Sequence, residues 1–348
     1  MVHPSPGGHP PRYTVIIPTL GRPCLQDGLD ALAAAAGPLP DQVVLADDRP
    51  DTPDPLPVRL PPALADRTMI VTLEGRGPAA ARNAGWRAAQ DTEWVAFLDD
   101  DVVVGPAWRA DLVADLAAQP DRVAGVQGTI AVPPPEGRRP TDWERGTAGL
   151  ATARWITADM AYRRRALIDA GGFDERFPRA FREDADLALR MMDRGWQLAQ
   201  GRREATHPVR PARRWASLRA QAGNADDALM TRRHGRDWCR RAQAAPGRRT
   251  GHWMVSALAA ASGTALVASR LVPGGTGAST RPGRAGSTPR VPDSGRQRLR
   301  WAAIAAALAW LAATGEFAAA RIRPGPRTPA EVTEMIITSA LIPPLAVG

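Results

Sequence analysis

The sequence predicts an α/β domain, with a mostly parallel open sheet and helices on both faces, followed by an α-helical apolar C-terminal region. Three observations predict this class. Short apolar strand patterns alternate with helical patterns through the first 200 residues, as in sheets built from strand–helix–strand units. Carboxylates end two of these strands, at the sheet edge where such folds bind ligands. Beyond residue 250 the chain becomes Ala-rich and largely uncharged.

The α/β domain is expected over residues 13–250, after a disordered lead at 1–12. Its strands are short apolar runs suited to burial, and its helices are apolar at helical spacing. The predicted strands are 13–18, 42–46, 68–73, 94–98 and 123–132, and the predicted helices are 25–36, 78–89, 111–118, 164–170 and 184–194. Gly-Pro or Gly-Gly pairs end the helices at 25–36 and 164–170, as helix stop signals do.

Charge is unevenly distributed along the chain. Residues 1–200 contain 22 Arg against 28 Asp and Glu, whereas residues 201–348 contain 23 Arg against 8, and there is no lysine. A basic and intermittently apolar C-terminal half predicts contact with a membrane surface. Nucleic acid is the other usual partner of basic segments, but interleaved aromatics, zinc-ligand spacing and a helix-turn-helix pattern are missing, so we expect no nucleic-acid partner. Cys24 and Cys239 lie far apart and fit a reducing cytoplasm.

The C-terminal region is expected to contain an apolar helix at 251–272, a disordered basic linker at 273–300 and an apolar helical membrane-associating tail at 301–348. Its uncharged runs comprise 17 residues at 253–269 and 15 residues at 301–315, whereas a membrane span needs about 20. Helices lying in the membrane interface are therefore favoured over spans, and a soluble helical dimer surface is the third alternative. Flanking arginines favour the cytoplasmic face of the membrane.

The most informative stretch is WVAFLDDDVVV, in which a buried strand ends in Asp99, Asp100 and Asp101. Three adjacent carboxylates repel one another, and a bound cation relieves that cost. Asp99 and Asp101, spaced as D-x-D, could hold Mg²⁺ or Mn²⁺ against a substrate phosphate. The alternatives are an acidic turn, a haloacid-dehalogenase-type phosphatase and a nucleotidyltransferase. The phosphatase would need a downstream lysine, and the nucleotidyltransferase a Gly-rich basic loop in place of IIPTLGRP.

Six segments together resemble glycosyltransferase family 2, the inverting enzymes of GT-A fold. They occur in the family's order from Tyr13 to about Gly201: YTVIIPTLGRP, VVLADDRPD, GPAAARNAGWRAA, FLDDD, ITADMAYRRRALIDAGGFDERF and FREDADLALRMMDRGW. The resemblance implies metal-dependent, inverting transfer from a nucleotide-diphospho-sugar to a hydroxyl acceptor. The expected acceptor is a cell-envelope or lipid-linked saccharide at the cytoplasmic membrane face. The alternative from another class is a non-catalytic, transferase-like membrane scaffold.

The resemblance also implies roles for individual residues. Asp184 is expected to be the catalytic base, with Glu183 orienting the acceptor, although acidic residues in a first helical turn are also common helix-dipole partners. The implied donor-binding residues are Pro18, Thr19, Asp47, Asp48, Arg82, Asp99 and Asp100. The implied metal ligands are Asp99, Asp101 and His207, and the implied acceptor-binding residue is Asp159. Arg49 and Pro50 depart from the small residues that follow the Asp pair in the family.

Overall fold

The computed structural model describes residues 9–51, 53–89, 91–212, 214–271 and 294–347. These form two compact units. The first comprises the described parts of Met1–Glu136, Glu144–Ala212 and Ala225–Pro246, and the second those of Gly137–Trp143, Arg213–Asn224 and Gly247–Gly348.

One sheet of eight strands organises the first unit. The strands are β1 (Tyr13–Thr19), β2 (Gln42–Asp47), β3 (Thr68–Thr72), β4 (Trp94–Leu98), β5 (Val103–Val104), β6 (Val123–Ala131), β7 (Asp159–Arg163) and β8 (Gln197–Thr206). Their order across the sheet is β3-β2-β1-β4-β7-β6-β8-β5. The first four of these neighbours pair in parallel, β7 runs antiparallel to both β4 and β6, β8 is parallel to β6, and β5 is antiparallel to β8. The predicted α/β class is confirmed, and the sheet is mixed because β7 and the short β5 are reversed.

Helices cover both faces of this sheet. The helices of the described chain are α1 (Cys24–Ala34), α2 (Pro62–Ala65), α3 (Pro78–Ala88), α4 (Trp108–Ala117), α5 (Asp142–Ala148), α6 (Arg164–Ala170), α7 (Glu183–Asp193), α8 (Ala216–Arg219), α9 (Asn224–His234), α10 (Trp238–Arg241), α11 (Arg249–Leu271), α12 (Ser294–Ile322) and α13 (Pro329–Val347). Successive side chains of a strand point to opposite faces. Val15 and Ile17 therefore pack in one core with α1 and α4, whereas Ile16 packs in a second core with α3, α6 and α7.

The central strands direct their C-terminal ends toward the candidate site. β1, β2 and β4 are parallel, so the residues that follow them lie along one edge of the sheet. Each strand is almost completely buried, which holds these ends in fixed positions. The edge carries Thr19, Asp47 and Asp99, as expected for a ligand-binding edge in this class of fold.

The second unit is built on three long apolar helices, α11, α12 and α13, which pack against one another. Their lengths of 23, 28 and 19 residues, with α12 counted from Gly295, and their composition are sufficient for each to cross a membrane. The helices are longer than the uncharged runs because they extend into flanking charged residues. Ser294–Arg300, which we expected to be disordered, form the start of α12, and Pro343 and Pro344 lie within α13 rather than ending it.

Two expectations fall partly outside the described residues. These are the disordered lead, of which residues 1–8 are not described, and the basic linker, of which residues 273–293 are not described.

The second unit also contains a buried arginine, Arg321, whose guanidinium donates to Asp142 and Thr338, each at 2.7 Å. Large apolar side chains such as Trp253, Leu308 and Leu345 are more than half exposed.

Candidate active site

The three adjacent aspartates after β4 face three different partners. Asp99 is bound by Arg82, Asp100 by residues of the loop after β1, and Asp101 by residues that follow β8. Each carboxylate is thereby neutralised by a cation of the protein. The acidic turn therefore tolerates its charge density through ion pairs on three sides.

Arg82 connects the D-x-D segment to the start of α7. Its Nη2 donates to Asp99 Oδ1 and its Nη1 donates to Glu183 Oε1, both at 2.7 Å. The side chain is 2% exposed, and Nε has no hydrogen-bond partner. Burial alone would lower the pKa of Arg82, but the charges of Asp99 and Glu183 outweigh it and raise that pKa. Arg82 is therefore a permanent cation that brings two acidic motifs, 84 residues apart in the numbering, into one cluster.

Glu183 and Asp184 differ in what surrounds them. Glu183 is buried, and its Oε2 lacks a hydrogen-bond partner. Burial and the neighbouring charge of Asp184 raise the pKa of Glu183 to about 8 despite Arg82. Asp184 is half-buried, and its Oδ1 accepts a hydrogen bond of 2.7 Å from the Ala185 N–H. Burial raises the pKa of Asp184 as well. Of the two carboxylates, Asp184 is the more exposed.

Asp101 and His207 lie together, with Arg210 beside them. His207 Nε2 is 3.4 Å from Asp101 Oδ1, and Arg210 Nε is 2.9 Å from Asp101 Oδ2. The His207 Nδ1 is buried without a hydrogen-bond partner. Burial, the largest influence, raises the pKa of Asp101 although His207 and Arg210 oppose it.

These residues fit a divalent cation as part of a coordination shell. Two ligand atoms on one ion, each about 2.1 Å from it, lie about 3 Å apart, close to the observed separation of Asp101 and His207. Asp99 has one oxygen beyond its bond to Arg82, and its side chain is 28% exposed. Within the described residues, a complete cluster of three or more His, Cys, Asp or Glu ligands is not preassembled. A phosphate-bearing substrate and water would have to complete the shell.

The donor-side residues after β2 are already bonded within the protein. Arg49 binds Asp47 through Nε and Nη2, at 2.9 and 2.7 Å. Burial would raise the pKa of Asp47, but the hydrogen bonds and charge of Arg49 prevail and lower it. Asp48 accepts the backbone N–H groups of Arg76 and Gly77 at 2.6 and 2.7 Å, so it caps the loop that enters α3.

The residues after β1 form the other wall of this edge. Thr19 donates its hydroxyl to Asp100 at 2.8 Å, and Arg22 donates to the same carboxylate at 2.9 Å. Asp100 thus fixes the loop after β1. To contact the sugar donor as expected, its carboxylate oxygens would have to accept further hydrogen bonds beside those from Thr19 and Arg22. Pro18 is half-buried at the end of β1, in register with Ala46 of β2.

Comparison with known proteins assigns the family. Residues 14–186 match the model of the family described as Glycosyl transferase family 2. Through these residues the chain belongs to glycosyltransferase family 2. The match includes every candidate residue from Pro18 to Asp184 but ends before His207.

Individual relatives match a shorter part of the chain than the family model does. Two curated proteins are named pre-mycofactocin glycosyltransferase, from Mycobacterium tuberculosis strains CDC 1551 / Oshkosh and ATCC 25618 / H37Rv. Each is 33% identical over 134 residues, covering 35% of this chain and 28% of the relative. The match therefore spans less than a third of the relatives' length.

Two solved structures align with part of this family 2 chain. The crystal structure of GalNAc-T7 with UDP, GalNAc and Mn2+ gives a TM-score of 0.43 at 17% identity, covering 57% of this chain and 44% of that one. The crystal structure of S. aureus TarS gives 0.39 at 15% identity, covering 63% and 40%.

Asp159 is a correction to the expected site of the family 2 domain. It is fully buried, with one oxygen accepting from Trp108 Nε1 and the other from Arg203 Nε, both at 2.8 Å. Arg203 is equally buried and also contacts Asp115. Asp159 therefore anchors β7 to α4 and β8, and both of its carboxylate oxygens are bonded within the protein.

Sequence reasoning missed several residues that shape the site. Arg49 forms an ion pair with Asp47, and Arg210 forms one with Asp101. Arg22 forms an ion pair with Asp100. Arg49 follows its partner by two residues, so a charge-pair search near the Asp pair could have found it. Arg210 lies more than 100 positions from Asp101 in a basic segment, and sequence carries no signal for that pairing.

Proposed function

We propose that this chain transfers a sugar from a nucleotide-diphospho-sugar to a hydroxyl acceptor, with inversion, at the cytoplasmic face of a membrane. The bridge from Asp99 through Arg82 to Glu183 carries this proposal, because it brings the D-x-D segment and the first turn of α7 into one cluster. Membership in glycosyltransferase family 2 supports the reaction class.

On the donor side, Asp101 and His207, with the second oxygen of Asp99, would hold Mg²⁺ or Mn²⁺. When bound, such an ion neutralises the charge that develops on the departing diphosphate. Arg210, already at Asp101, would have to yield one carboxylate oxygen, and its guanidinium could then pair with phosphate oxygens. Thr19 and Asp47 would contact the nucleotide, and Arg49 would then have to share or release Asp47.

On the acceptor side, Asp184 would accept the hydroxyl proton as the acceptor oxygen attacks the anomeric carbon and the bond to the diphosphate breaks. A half-buried carboxylate with a raised pKa suits this role, because a base works best when its pKa approaches the operating pH. Glu183 is held on Arg82 and would keep the first turn of α7 in place. Arg82, as a fixed buried cation, would balance the negative charge of both carboxylates.

The apolar helices of the second unit support a membrane location. α11, α12 and α13 have the length and composition to cross a bilayer, and many of their large apolar side chains are exposed. Arginines near the starts of α11 and α12, such as Arg249 and Arg300, suit anionic lipid headgroups. We propose a lipid-linked or cell-envelope saccharide as the acceptor, because it would be presented at that surface.

The test is a transfer assay on the full chain in detergent or vesicles. Donors would be UDP-, GDP- and dTDP-sugars with Mn²⁺ or with chelator, and acceptors would be lipid-linked saccharides, with pre-mycofactocin as a second arm suggested by the names of the relatives. Metal-dependent transfer that is lost in Asp101→Asn supports the proposal. Nucleotide-sugar binding without transfer in any arm would favour the scaffold alternative.

A further inference from the structure

The residue before the two carboxylates of α7 has an unusual backbone conformation. Arg182, the N-cap of α7, has φ +76° and ψ −13°. Non-glycine residues rarely occupy this left-handed region, because their Cβ crowds the backbone there. Such a conformation persists only where surrounding contacts enforce it, and it occurs often near functional sites.

The side chain of Arg182 is held on three sides. Its Nε donates to Asp227 Oδ1 at 2.7 Å. Its guanidinium lies over the rings of Phe181 and Trp238, 4.3 and 4.7 Å from their centroids. Arginine stacked on aromatic rings and paired with a carboxylate has little freedom to move.

Two of these partners, Asp227 and Trp238, belong to α9 and α10, which lie beyond the residues that match the family model. This segment is anchored independently of Arg182. Trp238 packs with Phe177, Leu189 and Met230 in a small core, and His234 Nε2 is 2.8 Å from the buried Asp186 of α7. The segment is therefore a rigid support, and Arg182 connects it to the first turn of α7.

We propose that Arg182 is a positioning residue for the transfer reaction: held by Asp227 and Trp238, it sets the direction in which Asp184 faces the acceptor. The proposal rests on the proposed function of Asp184 as base. It also assigns α9 and α10 to the active site as the support of its catalytic helix.

The decisive variant is Arg182→Gly. Glycine adopts φ +76° without steric cost, so the backbone conformation stays accessible while the side-chain contacts are lost. We expect kcat for transfer to fall about 10- to 100-fold, the scale on which small misplacements act, while binding of Mn²⁺ with UDP, GDP or dTDP is unchanged. Arg182→Lys keeps the charge and should recover part of the lost kcat.

The pH profile separates positioning from general damage. Asp184 is surrounded by Arg82, Arg182, Asp99, Glu183 and Tyr162. The charge of Arg182 lowers the pKa of Asp184, so its removal should move the acid limb of kcat to higher pH. Arg182→Lys should move that limb back.

Arg179→Gly is the matched control, because Arg179 lies in the same loop and pairs with Asp226, next to Asp227, at 3.2 Å. It should leave kcat and the pH profile unchanged. Wild-type values in Arg182→Gly, or equal losses in Arg179→Gly, would overturn the proposal. Amide exchange at residues 183–185 provides a readout without turnover. Failure of the proposed function would appear as an inactive wild-type protein, whereas failure of this inference would appear as unchanged exchange protection in Arg182→Gly.

Discussion

Replacing Asp159 by Asn tests whether this residue is structural. The carboxylate is completely buried between Arg203 and Trp108, and Gly128 lies so close that a Cβ there would come within 2.2 Å of it. The substitution keeps the size of the side chain but leaves the buried Arg203 without its principal counter-charge. Its remaining partners are the Val126 carbonyl and, both at 3.4 Å, the backbone carbonyl of residue 159 and the carboxylate of Asp115.

Removing one partner of a buried ion pair costs about 3–5 kcal/mol. With about 4 kcal/mol lost and an m value of about 3 kcal/mol per M urea, the unfolding midpoint should fall by about 1.3 M. The measurement is urea unfolding of the full chain in detergent, followed by circular dichroism. Asp159→Leu combined with Arg203→Met should lose less than either single variant, because no lone charge stays buried. An unchanged midpoint together with a raised KM for the acceptor would refute this reasoning and restore Asp159 to the acceptor site.

Three further predictions concern the reacting groups. Asp184→Asn should lower the transfer rate by about 10²–10⁴ while donor binding persists, which a transfer assay and calorimetry check together; wild-type transfer would mean that the base is another group. Burial raises the pKa of Glu183 to about 8. The stability that this neutral, buried carboxyl group contributes is therefore complete below about pH 4 and is lost as the pH rises to about 8. The free energy of unfolding of wild type should therefore fall between pH 5 and 8 relative to Glu183→Gln, as measured by urea titration, and parallel curves would contradict this assignment. His207→Ala should weaken the Mn²⁺-dependent part of donor affinity and leave binding in chelator unchanged, and equal affinity with Mn²⁺ would remove His207 from the metal site.

The part of the fold built from buried apolar runs could be predicted from the sequence. The strands β1, β2 and β4 are buried along almost their whole length. This burial is visible in their sequences as runs of apolar residues. β8 (QLAQGRREAT) was missed because it is polar and half-exposed, and its one fully buried charged residue, Arg203, is stabilised by partners distant in sequence. The reversal of β7 had no local signal either, since strand direction is set by the connections between strands.

In the candidate site, too, some residues could be predicted from the sequence, and others depend on partners distant in sequence. Residue type and spacing pointed to Asp99 and Asp101, and the family resemblance pointed to Asp184. The structure brings Asp99 and the first turn of α7 together through Arg82. The error at Asp159 arose because a buried ion pair and a ligand-binding carboxylate look alike in sequence. Only the position of Arg203 distinguishes them.

The three ion pairs around the acidic turn have a consequence for how a metal would enter. Since Asp99 and Asp101 are already paired with Arg82 and Arg210, a lone divalent ion would have to displace these arginines to reach the carboxylates. The ion would arrive already complexed with its nucleotide, whose phosphates replace the carboxylates as partners for the displaced guanidinium. Metal loading and donor loading would then be one event, and the order in which Mn²⁺ and nucleotide are mixed with the protein should not matter.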